Sequence, residues 1–294
     1  MLTAFFGACI LAAAPPAPWL LPPSLPPQLI EAHNSKRGSE PPERIVSLAP
    51  SATELVFALG EGRRVVGVTR YDDEPAEVQK LPKVGGFLDP NIEAVLALRP
   101  SLVLAAPNRE IRPRLERLAE LGVPVLVLPG NALQDLWWST KRLAPVLGSD
   151  AEARGGELLA AVESALTKLR DRPRPAARPR VALVYGQAPL VLAGPGSLAH
   201  QLLELAGAQN VVSIERAYPV YSMEQLVVDA PEFILDASSE HGANASFWTG
   251  HPVLDAVRHG RVVKLTDSSL LRVGPRIAEA LRLIAAAIDA PPAP

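Results

Sequence analysis

The chain of 294 residues carries one cysteine, Cys9, only five histidines, 5% aromatic residues and a formal charge of −2. A single thiol near the amino terminus excludes intrachain disulfides, and the body of the protein offers no cysteine nucleophile or thiolate metal site. His33, His200, His241, His251 and His259 form no i, i+4 pair; the nearest two, His251 and His259, read as surface or core rather than as metal ligands. The 29 basic residues are scattered and offset by 31 acidic ones, which argues against nucleic-acid binding. G-x-S-x-G, P-loop and H-E-x-x-H motifs are missing, and no G-x-G-x-x-G follows the first strand. The common hydrolase, nucleotide and zinc-protease chemistries are therefore not written here.

Proline, by contrast, is abundant: 31 residues, nine of them between Pro15 and Pro42. The first fourteen residues, MLTAFFGACILAAA, are apolar apart from Thr3. That run is too short to span a bilayer but suits the apolar part of an export signal, although the usual positive start is missing. Residues 1–43 are thus expected to be an export signal and an exposed Pro-rich tether. The FGAC stretch is loosely like the sites at which bacterial lipoproteins are acylated, which makes Cys9 a candidate for lipidation; a small apolar residue within a cleaved signal fits Cys9 equally.

From Arg44 onward, short β-branched runs alternate with helical patterns, the signature of an α/β fold. RIVSLA (44–49), VVGVT (65–69), SLVLAA (101–106) and VPVLVL (123–128) read as strands of an N-terminal lobe over 44–130. Ser51-Ala-Thr-Glu54 reads as a capping box opening a helix that Gly60 ends. Residues 131–179 are a helical connector interrupted around Pro145 to Gly148, with Trp137 and Trp138 expected in its core. A second lobe over 180–294 holds strands at 181–185, 233–237 and 261–266 and helices at 197–206, 223–230, 252–258 and from Pro275. Gly194-Pro-Gly-Ser197 reads as a turn with Ser197 as N-cap, or more weakly as an anion-binding loop.

One unit occurs in both lobes. NIEAVLALRPSLVLA (91–105) and SMEQLVVDAPEFILD (222–236) share a capping residue, a Glu two positions later, a short helix, Pro and an apolar run. The loops also concentrate aromatics: Tyr71, Phe87, Tyr218, Tyr221, Phe247 and Trp248 lie at strand ends, where a large flat ligand between two lobes can stack.

RIVSLAPSATELVFALG (44–60), VVGVTRYDDEP (65–75), PNIEAVLALRPSLVLA (90–105), HPVLDAVRHGRVVKL (251–265) and GPRIAEAL (274–281) resemble the substrate-binding proteins of ABC importers. This family has two Rossmann-like lobes joined by a long rigid helix, with a ligand cleft between them, and serves cobalamin, haem and iron-siderophore uptake. The resemblance covers nearly all of the chain from Arg44 to about Ile288, and the SLAPSATE and TRYDDEP segments are most similar to the cobalamin-binding members. It implies that Tyr71, Phe87 and Tyr218 surround the corrin and that Asp267 makes a polar contact. With the other loop candidates, the expected ligand set is Tyr71, Phe87, Tyr218, Tyr221, Trp248, Asp267 and Arg272. Phe87 and Tyr218 stand where the family's best-known member has tryptophans, and no aromatic occupies Ala106-Pro107.

The resemblance also implies that Glu93 and Glu224, one per lobe, dock into arginine pockets of an ABC permease dimer with its ATPase subunits. The same two residues also complement the positive ends of their helices. The expected protein is a monomer in the periplasm or on the outer face of the cytoplasmic membrane, touching the membrane only by docking or by a lipid anchor. It is expected to carry no metal or cofactor, to catalyse no reaction and to bind cobalamin. Haem or a ferric siderophore remains the alternative ligand, with Tyr71, Tyr218 and Tyr221 as possible axial groups and Arg70 and Arg272 as the evident cations. A corrinoid- or metal-processing enzyme is the remote alternative. The stiff connector implies modest lobe movement.

Overall fold

The computed structural model describes residues 17–25, 27–31, 40–173, 177–238 and 247–289. The first lobe is built from β1 (Gln28–Ile30), β2 (Ile45–Ser47), α1 (Pro50–Ala58), β3 (Val65–Gly67), α2 (Ile92–Ala97), β4 (Leu102–Ala105), α3 (Arg112–Glu120) and β5 (Val125–Val127). Its sheet has the order β1-β5-β4-β2-β3, parallel except for β1. Strands β2, β4 and β5 are buried throughout, as their unbroken apolar runs require of a parallel sheet covered on both faces.

Two helices lead out of this lobe, α4 (Asp135–Leu147) and α5 (Ser149–Arg170). They break at Gly148, whose φ of +118° suits glycine. At 22 residues, α5 is about 33 Å long. It packs on α4, on α1 of the first lobe, and on α6 (Leu198–Ala206) and α9 (Ile277–Asp289) of the second. Gly155 permits the close approach to α4, since a Cβ there would sit 3.1 Å from the Thr140 side chain and 3.2 Å from Ala144. One continuous apolar core consequently includes Leu55, Leu136, Leu159, Leu202 and Ile284.

The second lobe comprises β6 (Arg180–Gln187), β7 (Leu190–Leu192), α6, β8 (Gln209–Asn210), α7 (Met223–Asp229), β9 (Phe233–Asp236), α8 (Asp255–Arg258), β10 (Val262–Lys264) and α9. The sheet runs β10-β9-β6-β7, with β8 parallel to β6. Ser197 caps α6, accepting from His200 N at 3.1 Å, so the Gly-rich turn before it has the capping role.

The repeated unit keeps its backbone as well as its pattern. Asn91 caps α2 and Ser222 caps α7. Each helix is followed by a non-glycine residue in the left-handed region, Arg99 (φ 47°) and Ala230 (φ 43°), immediately before Pro100 and Pro231. A residue before proline is pushed away from the right-handed helical region, which gives both helices the same stop.

Three expectations change. Residues 18–25 and 27–30 do not hang free: Trp19 is buried and stacked on Trp137 at 5.9 Å. Ser24 N donates to Asp135 at 2.7 Å, and β1 pairs antiparallel with β5. This part of the Pro-rich segment is a strap on the first lobe, because an apolar Trp and an open sheet edge both gain by being covered. Trp138 is 41% exposed rather than core, its Nε1 donating to Leu21 O of the strap at 3.1 Å. α1 starts at Pro50 with no side-chain cap, so Ser51 and Glu54 form no capping box.

Trp19→Ala is expected to lower the unfolding free energy by about 3 kcal/mol, the scale for truncating a buried Trp, and to red-shift the tryptophan emission as Trp137 meets water. Denaturant unfolding followed by fluorescence checks this; wild-type stability would show that the strap contributes nothing.

Candidate functional site

A cleft of about 800 Å³ opens where the two sheets point at each other. Ala49 to Ser51 follow β2, Ala106 follows β4 and Gly130 lies beyond β5; from the other lobe come Ala237 and Ser238 after β9 and Lys264 to Ser268 at the end of β10. These are the carboxyl ends of parallel strands. In each sheet the first parallel strand has a parallel neighbour on either side, β2 between β4 and β3, β6 between β9 and β8, and ligands bind at such switch points.

Tyr71 and Phe87 form the aromatic wall of the first lobe, edge to face at 5.8 Å. The Tyr71 loop is held by the buried Asp72, whose Oδ2 accepts from Thr69 N at 2.8 Å and from the Thr69 hydroxyl, while Thr69 Oγ1 accepts from Tyr71 N at 3.2 Å. Burial raises the Asp72 pKa, an effect partly offset by hydrogen bonds from Thr53 and Thr69 and by the Arg272 charge. Phe87 is delivered by Gly85 and Gly86. Gly85 has φ +103°, and a Cβ on Gly86 would lie 2.3 Å from Asp89 Oδ1 and 2.9 Å from the Arg70 guanidinium. A side chain at Gly86 would push aside the exposed Arg70–Asp89 pair, which closes at 2.8 Å.

The opposite wall is organised by Asp236 at the end of β9. Its carboxylate accepts from Gln187 Nε2 and Trp248 Nε1, each at 2.8 Å, from Ser238 N at 2.9 Å and from Lys264 Nζ at 3.3 Å. Lys264 also donates to Ser238 O at 2.6 Å. Across the base of the cleft, Arg272 donates to Asp73 at 2.8 Å and to Glu54 at 3.3 Å, and Arg276 grips Glu54 through two nitrogens at 2.9 and 3.0 Å. Asp267 accepts from Ser269 N at 2.8 Å and Arg276 Nη1 at 3.1 Å. Burial pushes the Asp267 pKa up, but these donors outweigh it and hold the group below its ordinary value. Each charged lining residue, Asp73, Lys264, Asp267 and Arg272, already has an opposite charge.

Of the expected ligand residues, Tyr71, Phe87, Asp267 and Arg272 line this cleft together. Tyr218 is 49% exposed and stands farther out, edge-on to Tyr185 at 5.3 Å; the Tyr185 hydroxyl donates to Leu270 O, next to the lining residue Leu271. Tyr221 and Trp248 belong to the core of the second lobe. Tyr221 precedes the cap of α7 and shares a buried cluster with Leu226, the two positions of a hydrophobic staple. Its hydroxyl bonds to Asp229. Trp248 is 4% exposed and spent on Asp236. Neither ring is available to stack on a ligand. Glu54, Asp236 and Lys264 carry no sequence signal for this role: Glu54 has the spacing of a capping box, and Asp236 and Lys264 occupy strand ends with no motif of their own.

Glu93 and Glu224 are both exposed at the second position of their helices. Among the described residues neither forms an ion pair. Cys9 and His241 lie outside the described residues.

Residues 45–268 match the family described as periplasmic binding protein. A vitamin B12-binding protein of Pectobacterium atrosepticum is 31% identical over 248 residues, covering 80% of this chain and 85% of that one. The crystal structure of the periplasmic vitamin B12 binding protein of Vibrio cholerae superposes with a TM-score of 0.72 at 27% identity, covering 84% of this chain and 97% of that one. A periplasmic heme binding protein of Pseudomonas aeruginosa superposes with a TM-score of 0.70 at 29% identity, covering 86% and 95%.

Burial pushes the Asp236 pKa up, yet the donors from Ser238, Trp248 and Gln187 more than offset it and hold the carboxyl below its ordinary value. Such a group stabilises the fold above its unfolded pKa of about 3.9, and the contribution disappears as pH falls through the folded value. Asp236→Asn is expected to cost about 2 kcal/mol near neutral pH, with the difference from wild type shrinking below about pH 4. Chemical unfolding at both pH values checks the sign; a pH-independent difference would contradict it.

Proposed function

The chain belongs to the periplasmic binding protein family, and from that premise we propose that it captures cobalamin or a related corrinoid in the interlobe cleft and delivers it to an ABC-type membrane importer. The observation that carries the ligand class is the pairing of every charged residue lining the cleft beside an aromatic wall. A large ligand with flat apolar faces and an uncharged amide fringe meets stacking rings and polar groups without displacing an ion pair. Haem propionates or an anionic siderophore need cations to spare. Here the charges of Lys264 and Arg272 are offset by Asp236, Asp73 and Glu54, so Arg272 can offer hydrogen-bond donors but the pair supplies no surplus positive charge to an anion.

Delivery is supported by the repeated unit. Two exposed carboxylates, Glu93 and Glu224, occupy equivalent sites on the two lobes, as a partner with two-fold symmetry and matching arginines requires. The continuous core through α5 keeps their spacing. The protein acts as a monomer outside the cytoplasm. An acylated Cys9 would tether it; no described helix is long and apolar enough to cross a membrane.

Tyr71→Ala and Phe87→Ala are each expected to weaken cyanocobalamin binding about tenfold, the worth of a stacking ring, with unchanged thermal stability. Calorimetry reads the affinities, and wild-type binding in both variants would remove these rings from the site. Joining Glu93→Ala to Glu224→Ala is expected to leave that affinity intact and to abolish stimulation of the importer's ATPase in reconstituted vesicles. Loss of ligand binding instead would place the two glutamates in the cleft's support.

A further inference from the structure

The ion cluster under the cleft is built from both lobes. Glu54 comes from α1 and Asp73 from the loop that carries Tyr71; Arg272 and Arg276 come from the segment leading into α9. Glu54 is 5% exposed and accepts three guanidinium bonds, two from Arg276 and one from Arg272. Its carboxylate also faces Gly274, where an added Cβ would sit 3.4 Å from Oε2, so the second lobe's backbone closes over it. Burying a carboxylate at this depth is tolerated only with such partners.

The distribution of bonds on Arg272 is uneven. Both of its ion pairs are made by Nη1, at 3.3 Å to Glu54 and 2.8 Å to Asp73. Among the described residues Nε and Nη2 have no partner, although Arg272 lines the cleft. A guanidinium fixed by one nitrogen keeps the others as oriented donors, a fork suited to an acceptor oxygen. Asp73 and Tyr71 sit on one short loop pinned by Thr69 and Asp72, so the position of Arg272 is tied to that of the aromatic wall.

We infer that Glu54 and Asp73 are positioning residues for the ligand. They hold Arg272 by Nη1 at the lobe junction and leave Nε and Nη2 to a ligand acceptor oxygen, so one ion cluster sets ligand affinity and narrows the small range of lobe angles that the shared core allows. This rests on the binding role proposed above and adds to it the residues that orient the contact. The lobe angle is claimed independently of which ligand is bound.

The test uses the full chain with Cys9→Ser, spin-labelled at Ala97→Cys on α2 and Val228→Cys on α7, two exposed positions on opposite lobes. Interlobe distances are measured without ligand, and cyanocobalamin affinity by calorimetry. Glu54→Gln is expected to broaden the distance distribution and to weaken binding at least about tenfold, the loss of one charge-assisted hydrogen bond. Asp73→Asn should weaken binding by a similar factor, and Arg272→Lys should weaken binding while leaving the distance unchanged. A merely structural Glu54 would lower stability while the folded fraction kept wild-type distance and affinity, and that result overturns the inference. Should Glu54→Gln fail to fold, Asp73→Asn decides, because that carboxylate is half exposed; wild-type affinity there overturns it. If the unsubstituted protein takes no cyanocobalamin, the ligand reading fails, and the distance comparison still rules on Glu54.

Discussion

The apolar core does not stop at the boundary between the lobes. Helix α5 lies against α1 on one side and α6 and α9 on the other, and the residues it buries belong to one cluster with Leu55 and Ile284. Separating or rotating the lobes by a large angle would expose part of that cluster, at a cost proportional to the apolar area uncovered. The cleft is therefore a standing gap between two fixed walls rather than a product of ligand-driven closure. The two exposed glutamates likewise keep a fixed spacing, which a rigid partner with two equivalent pockets can read.

Within that frame the charges do a different job. None of the charged groups lining the cleft is without an opposite charge: Asp236 holds Lys264, Asp73 and Glu54 hold Arg272, and Asp267 meets Arg276. Paired charges at a ligand wall present dipoles and hydrogen bonds, not net potential, and such a wall prefers neutral polar groups over anions. The rings of Tyr71 and Phe87 supply the apolar surface. The proposed preference for a corrinoid rests on this charge arrangement, because the fold itself is common to vitamin B12-binding and heme-binding proteins.

Much of this was readable from the chain, and the failures have physical causes. The alternation of β-branched runs with helical patterns located the strands of both sheets, since parallel strands buried on two faces must be almost wholly apolar. The repeat at Asn91 and Ser222 was legible because caps, glutamates and prolines sit at local positions with fixed spacing. Tyr221 and Trp248 lie in loops, as ligand aromatics do; the inward turn of Trp248 depends on Asp236, which no motif marks, whereas Tyr221 and Leu226 hold the local spacing of a hydrophobic staple. Glu54 has the spacing of a capping box, yet its partners are more than two hundred residues away. Trp19 lay in a stretch whose prolines suggest an extended tether, and proline says nothing about whether an extended segment finds an open sheet edge to cover.

Parallel calorimetric titrations of the protein with cyanocobalamin, hemin and a ferric siderophore decide whether a cleft with all its charges paired selects a neutral corrinoid. Tight one-to-one binding of cyanocobalamin is expected, with no comparable heat from the other two. Tight hemin binding with the absorption band of an iron-bound tyrosinate would contradict it, and would make Tyr71 an axial ligand instead of a stacking wall.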